Sequence, residues 1–141
     1  MSSDADDAIK NQAGRLYASM FGKLLEDDDE TPSRIADRLF LGSAPDAHAH
    51  DLDHFDISSH FPAALNFIHK SLQADDGAVL VHCSAGVSRS ATIVAAYLMV
   101  AHQIDATEAV QRVNQARPCA CPNIGFIQQL LRFDHRDFKF D

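Results

Sequence analysis

Residues 79–91, Val-Leu-Val-His-Cys-Ser-Ala-Gly-Val-Ser-Arg-Ser-Ala, constrain this chain more than any other stretch. The apolar run Val79, Leu80 and Val81 stops at a polar turn holding one cysteine, one glycine and one arginine, and an apolar helical pattern follows at once. The segment therefore reads as strand, loop, helix. A loop entering a helix presents unpaired backbone N–H groups, and the helix dipole adds partial positive charge, so such a loop is a natural anion site. The same field favours thiolate over thiol, and cysteines so placed fall from a pKa of about 8.5 towards roughly 3.5–7.5. Cys83, at the mouth of the loop, is expected to be a nucleophile at neutral pH. Arg89, six residues on, offers a planar two-pronged donor suited to phosphate oxygens. Gly86 lets the backbone curl with its N–H groups convergent, and Ser90 places a hydroxyl where it can stabilise the sulfur as it leaves. The arrangement suits a thiolate attacking a phosphorus held in a ring of N–H donors.

His82-Cys83-Ser84-Ala85-Gly86-Val87-Ser88-Arg89-Ser90 resembles the HCxxGxxRS loop of the cysteine-dependent protein phosphatases, and Ser-Ala-Gly-Val-Ser-Arg-Ser-Ala-Thr is close to the wording of their small, atypical dual-specificity members. Three further stretches carry the resemblance: Ile35 with Leu39-Phe40-Leu41-Gly42-Ser43, the acidic residues 51–56 running towards Phe61, and Arg117-Pro118 with Pro122-Asn123, Gly125-Phe126 and Gln129-Leu130. The resemblance implies a single α/β domain, a central sheet backed by helices. In that family a helix and two strands lie between the Gly-Ser and the acidic loop, whereas here only residues 44–50 intervene. An internal deletion is therefore expected, leaving the sheet depleted of two strands.

The resemblance implies hydrolysis of phosphotyrosine and of phosphoserine or phosphothreonine through a cysteinyl-phosphate. Cys83 attacks, while Arg89 and the backbone N–H groups of Ser84, Ala85, Gly86, Val87 and Ser88 hold the phosphate. Asp51 is the expected general acid, with Asp53 as the alternative because loop register is not fixed by one sequence. Ser90 assists departure of the sulfur. His82 is expected to be tied to backbone and to shape the loop rather than act as a base, since adjacent strand residues point to opposite faces. The variable loop positions carry no lysine of the kind phosphoinositide phosphatases use, so phosphorylated proteins are the expected partners, with kinases as candidates among them. No cofactor is implied. His48, His50, Asp51, Asp53 and His54 alternate imidazole and carboxylate, but their spacing matches no closed metal pattern.

Composition bounds the remainder. At 141 residues, one domain with a single sizeable core is expected. The net charge of −8 is uneven, because residues 1–31 hold eight acidic against three basic side chains. With no basic stripe to displace counterions, nucleic acid binding is not expected, and anionic membranes are disfavoured too. No apolar run approaches the ~18 residues of a membrane span, no leader pattern opens the chain, and three cysteines suit a reducing compartment; cytosol or nucleus is expected.

Two units are expected: an acidic helix and linker over residues 1–31, and a catalytic domain over residues 32–141, shortened between 43 and 51. Helical spacing of Ile9, Ala13, Leu16, Met20 and Leu24 predicts an amphipathic helix over residues 5–25, packed on its own core. Residues 34–42 read as a strand pair around a turn. Ser58 or Ser59 is expected to cap a helix burying Phe61, Leu65, Ile68 and Leu72. After the buried helix over residues 91–101, Asp105 reads as an N-cap with an acid, Glu108, three residues later, opening a helix whose core face is Ala109, Val110, Val113 and Ala116. A final helix begins near Pro122. Cys119 and Cys121 read as bystander thiols, the alternative being disulfide partners for oxidised Cys83. Residues 134–141 read as a frayed or partner-facing end.

Overall fold

The computed structural model describes residues 3–24, 32–43, 55–74, 77–83 and 88–141. Among them three strands form one sheet in the order β1-β2-β3: β1 (Ser33–Ala36), β2 (Leu39–Ser43) and β3 (Val79–Cys83). β1 and β2 are an antiparallel hairpin, while β2 and β3 run parallel, with Leu39 opposite Val79 and Ser43 opposite Cys83. Five α-helices are described with it: α1 (Ser3–Leu24), α2 (Phe61–Gln73), α3 (Arg89–His102), α4 (Ala106–Ala116) and α5 (Ile124–Arg132). The expected α/β class is correct. The interval read as shortened lies outside the described residues, as do Asp51, Asp53 and residues 84–87.

α3 is the spine. Ten of its fourteen residues are buried, including Ala91, Val94, Ala95, Leu98 and Met99. A helix apolar on nearly all sides must be enclosed, and α2, α4, α5, β2 and β3 all pack against it. α1 buries Ala13, Leu16 and Met20 in the same core and lies along α5, where Asp6 pairs with Arg132. Those three positions recur every three or four residues, which is why one face of an otherwise polar helix is enough to dock it.

The β1–β2 turn is held from outside the sheet. Arg38 takes a left-handed φ of 60°, a conformation unfavourable for a residue with a Cβ. Its guanidinium donates to the carbonyl oxygens of Leu72 (2.6 Å), Ala74 (2.7 Å) and Gly77 (2.8 Å). The first two lie at the end of α2, where unpaired carbonyls and the negative pole of the dipole favour a cation. Arg38 also accepts the Val79 N–H at its own carbonyl (2.9 Å), so one residue joins the hairpin, the end of α2 and the start of β3. Gly77 tolerates no side chain, because a Cβ would collide with the Ser71 carbonyl oxygen.

Three local expectations are corrected. Neither Ser58 nor Ser59 caps α2; both sit in a 3₁₀ turn (Ser58–His60), and the carboxylate of Asp56 accepts from the Ser58 hydroxyl (2.7 Å) and the Ser59 N–H (3.2 Å). Ala116 is exposed, and Asn114 occupies the buried position instead, its amide donating to the carbonyls of Pro118 and Ala120 (both 3.1 Å). Residues 134–141 are not frayed. Phe133, Phe138 and Phe140 form an edge-to-face series with centroids 5.7–6.0 Å apart, Phe133 meets Phe61 at 5.0 Å, and Phe140 stacks on His69 at 4.0 Å. Asp141 and Asn66 close the end with two reciprocal hydrogen bonds. Alternating charged and aromatic residues look like a loose tail in one dimension; only the groove beside α2 makes the aromatic half a packing surface.

Two outcomes are expected. Arg38→Ala, which loses the three carbonyl bonds and keeps the unfavourable φ, costs roughly 2 kcal/mol in urea unfolding, and Arg38→Gly costs about 1 kcal/mol less because the backbone strain is relieved. Phe140→Ala uncovers Tyr97, whose phenol burial holds above its ordinary pKa of 10.0 and whose ring lies 6.0 Å from that of Phe140. Alkaline absorbance titration should show that phenol ionising closer to 10.0 in the variant.

Candidate active site

The parallel register of β2 and β3 carries both strands to the same end, so Ser43 and Cys83 lie side by side at the rim of the sheet. Cys83 is the last residue of β3 and Arg89 the first of α3. Strand alternation turns Val79 and Cys83 into the helical layer and leaves Leu80 and His82 exposed. Cys83 is thus 6% exposed, buried on the side that faces the start of α3.

The Cys83 sulfur lies 3.1 Å from the Ser90 hydroxyl oxygen, which is itself buried. A hydroxyl at that distance can donate to a thiolate, and the positive pole of α3 acts in the same sense. Arg89 is half-buried, with its Nε shielded from solvent. Ser88 is buried where the chain enters α3, and its carbonyl accepts from both the backbone N–H (2.9 Å) and the hydroxyl (2.8 Å) of Thr92. Cys83, Ser88, Arg89 and Ser90 are therefore at one corner of the molecule. Ser84, Ala85, Gly86 and Val87, expected to bind phosphate, lie outside the described residues, as do both candidate acids, Asp51 and Asp53. His82 is exposed at an apolar groove of about 440 Å³ between α2 and β3, beside Phe67, Leu80 and Ile93, and its face is opposite that of Cys83.

Three residues with no role in the sequence reading make polar ties here, one to this corner and two to the turn before α2. Asn123, the N-cap of α5, gives its backbone N–H to the Ser88 hydroxyl (2.9 Å) while its side chain accepts from the Phe126 N–H (2.8 Å). Gln129, six residues further along α5, accepts from the Ser58 N–H (2.9 Å) and donates to the Phe55 carbonyl (2.7 Å). Asp56 is the third. Its hydrogen bonds from Ser58 and Ser59 hold its carboxyl below the ordinary value of 3.8. A depressed carboxylate contributes stability above its unfolded value, and the contribution is lost as pH falls through the native one. The available signal was the resemblance itself, which runs through Asn123 and Gln129 without saying what they touch.

All three cysteines are thiols, and Cys119 and Cys121 are buried in the turn before α5. Among the described residues no group of three or more His, Cys, Asp or Glu side chains is arranged to hold a metal ion; His48, His50, Asp51, Asp53 and His54 lie outside them. No described helix is long and apolar enough to cross a membrane.

Comparison with known proteins bears on the whole of this region. The family model described as "Dual specificity phosphatase, catalytic domain" matches residues 42–136. Dual specificity protein phosphatase 26 of Bos taurus is 51% identical over 88 residues, covering 62% of this chain and 41% of that protein. The chain thus spans about two fifths of the length of the curated relatives it matches first. Among solved structures, DUSP15 superposes with a TM-score of 0.69 at 28% identity, over 74% of this chain and 88% of that one. The human tyrosine phosphatase-like serine/threonine/tyrosine-interacting protein does so with a TM-score of 0.68 at 28% identity, over 74% and 95%. With the matched span containing the strand end, the cysteine, the arginine and the helix just described, the chain belongs to the dual specificity phosphatase catalytic domain family.

Proposed function

We propose that residues 32–141 form a protein phosphatase unit acting on phosphotyrosine and on phosphoserine or phosphothreonine through a cysteinyl-phosphate. The observation that carries this reading is the buried 3.1 Å contact between Cys83 and Ser90 at a strand end facing the helix that Arg89 begins. Family membership supports the reaction class.

The Cys83 thiolate attacks phosphorus; a sulfur–phosphorus bond forms as the bond to the ester oxygen breaks. That oxygen takes a proton from Asp51, or from Asp53 if the loop register places it there. Arg89 and the N–H groups of residues 84–89 receive the charge that builds on the equatorial oxygens, where preorganised donors stabilise the transition state more than bound substrate. In the second half the carboxylate takes a proton from water, water attacks phosphorus, and the sulfur leaves as a thiolate accepting the Ser90 hydroxyl. Phosphorylated proteins are the substrates. The charge of −8 works against long-range attraction of such anions, so the affinity rests on the local donors.

Purified protein is expected to hydrolyse phenyl phosphate and phosphotyrosine peptides, with Cys83→Ser reduced to the blank. Equal rates for the two proteins would sink catalysis, and retained phosphopeptide affinity in that event would mark a binding module. Arg89→Lys should cost about 10²-fold or more, since an ammonium cannot grip two oxygens in a plane. Ser90→Ala separates the two half-reactions: a burst of the first product appears, kcat falls and kcat/KM is nearly kept, because the hydroxyl serves the departing sulfur.

A further inference from the structure

Among the described residues the sheet ends at β3. In a strand the N–H and C=O of one residue point to the same side, and those of the next residue to the other. The Val79 N–H meets the Arg38 carbonyl on the β2 side, so alternation turns the backbone groups of Leu80 and His82 to the outer edge, where no described strand pairs with them. Such a row of donors and acceptors is a template for a further strand.

The edge borders the apolar groove of about 440 Å³, with Ala63, Ala64 and Phe67 on the α2 wall, Leu80 and His82 on the β3 wall, and Ile93 contributed by α3. Four large apolar side chains are exposed among the described residues, and two of them, Phe67 (67%) and Leu80 (48%), line this one groove. Single exposed apolar residues need no explanation, whereas a pair beside an unpaired strand edge marks a surface able to bury something.

Size and charge choose the occupant. Nine residues line the groove, against roughly 20–30 a side in a stable protein–protein interface, and a second copy would bring another charge of −8. β3 has five residues and spans about 16 Å, room for a short extended segment. None of the nine lining residues is acidic, and Lys70, exposed and three residues beyond Phe67, stands on the same side of α2. In a chain with 20 acidic against 12 basic side chains, an acid-free rim beside a lysine suits a carboxylate.

We propose that the outer edge of β3 and its groove dock an extended segment of another polypeptide, which pairs with the backbone of Leu80 and His82, lays alternate apolar side chains over Phe67 and sets an acidic residue towards Lys70. Main-chain pairing supplies the affinity and the groove the selection. No reacting group takes part, so this docking is independent of the phosphatase reading.

The probe is a fluorescein-labelled peptide of three valine–threonine repeats ending in two glutamates, titrated into the whole protein by fluorescence anisotropy. Saturable binding is expected, weakened about 10-fold or more when the peptide's backbone amides are N-methylated, since the bonds to the edge go while the side chains stay. Lysines in place of the two glutamates should cost about 3-fold or more at low salt. Phe67→Ser and Leu80→Glu, both at exposed positions, should each cost about 5-fold or more while unfolding stays cooperative. Hydrogen exchange read by NMR should find the Leu80 and His82 amides fast in the free protein and slowed by peptide, with those of Val79 and Val81 protected throughout. Equal affinity for either altered peptide, no loss in either variant, or no binding at about 1 mM peptide overturns the proposal. So does protection of Leu80 and His82 in the peptide-free protein, with sedimentation against concentration telling a second copy from the chain's own cover. Each of these leaves the Cys83→Ser comparison, and the phosphatase reading with it, untouched.

Discussion

The position of every described group around Cys83 depends on the enclosure of α3. A helix with ten buried residues out of fourteen has few ways to be accommodated, and here the sheet, α2, α4 and α5 close around it. Its first turn is then placed by packing rather than by the loop that precedes it. β3 is placed independently, by parallel pairing with β2 in a register that ends at Cys83. With the end of β3 and the start of α3 each held by its own packing, a thiol and a hydroxyl seven residues apart come to 3.1 Å in a buried setting.

Around that spine the remaining elements are tied by polar contacts spanning long stretches of sequence. Arg38 joins the hairpin to the end of α2 and the start of β3; Asn123 and Gln129 join α5 to the entry of α3 and to the turn before α2. α5 is in turn backed by α1, whose apolar positions Ala13, Leu16 and Met20 share the common core. Hydrogen bonds of this kind are worth about 1 kcal/mol each and do not make the fold. Their effect is directional: they select one placement of loops that apolar packing alone would leave free to slide.

Legibility in the sequence was highest for regular patterns. The apolar run of β3, the hairpin, the period of α1 and the Asp105 N-cap are present as read. The errors came where polar groups had a choice of partner or where a distant surface decided. Asp56, two and three residues away, displaced the two serines as the polar anchor before α2, since a carboxylate can take a hydroxyl and an amide together. Asn114 is buried with its amide donating to the carbonyls of Pro118 and Ala120, four and six residues on. The terminal phenylalanines found a groove against Phe61 and His69 that no local pattern announces. The nearness of Cys83, Arg89 and Ser90 was legible because one short motif carries all three, whereas the partners of Gln129 were not, since the resemblance names the residue and not what it touches.

The chain alone determined the chemistry on offer: a cysteine between an apolar strand and a helix, an arginine six residues later, and a hydroxyl beside it. Those identities are local, and the physics of a helix N-terminus gives them meaning before any fold is known. The tertiary structure decided that His82 opens onto a groove lined by α2, and that one helix is tied both to Ser88 and to Phe55. Such relations depend on contacts between residues many tens of positions apart, which form only when apolar surfaces have been buried together, and no spacing along the chain encodes them.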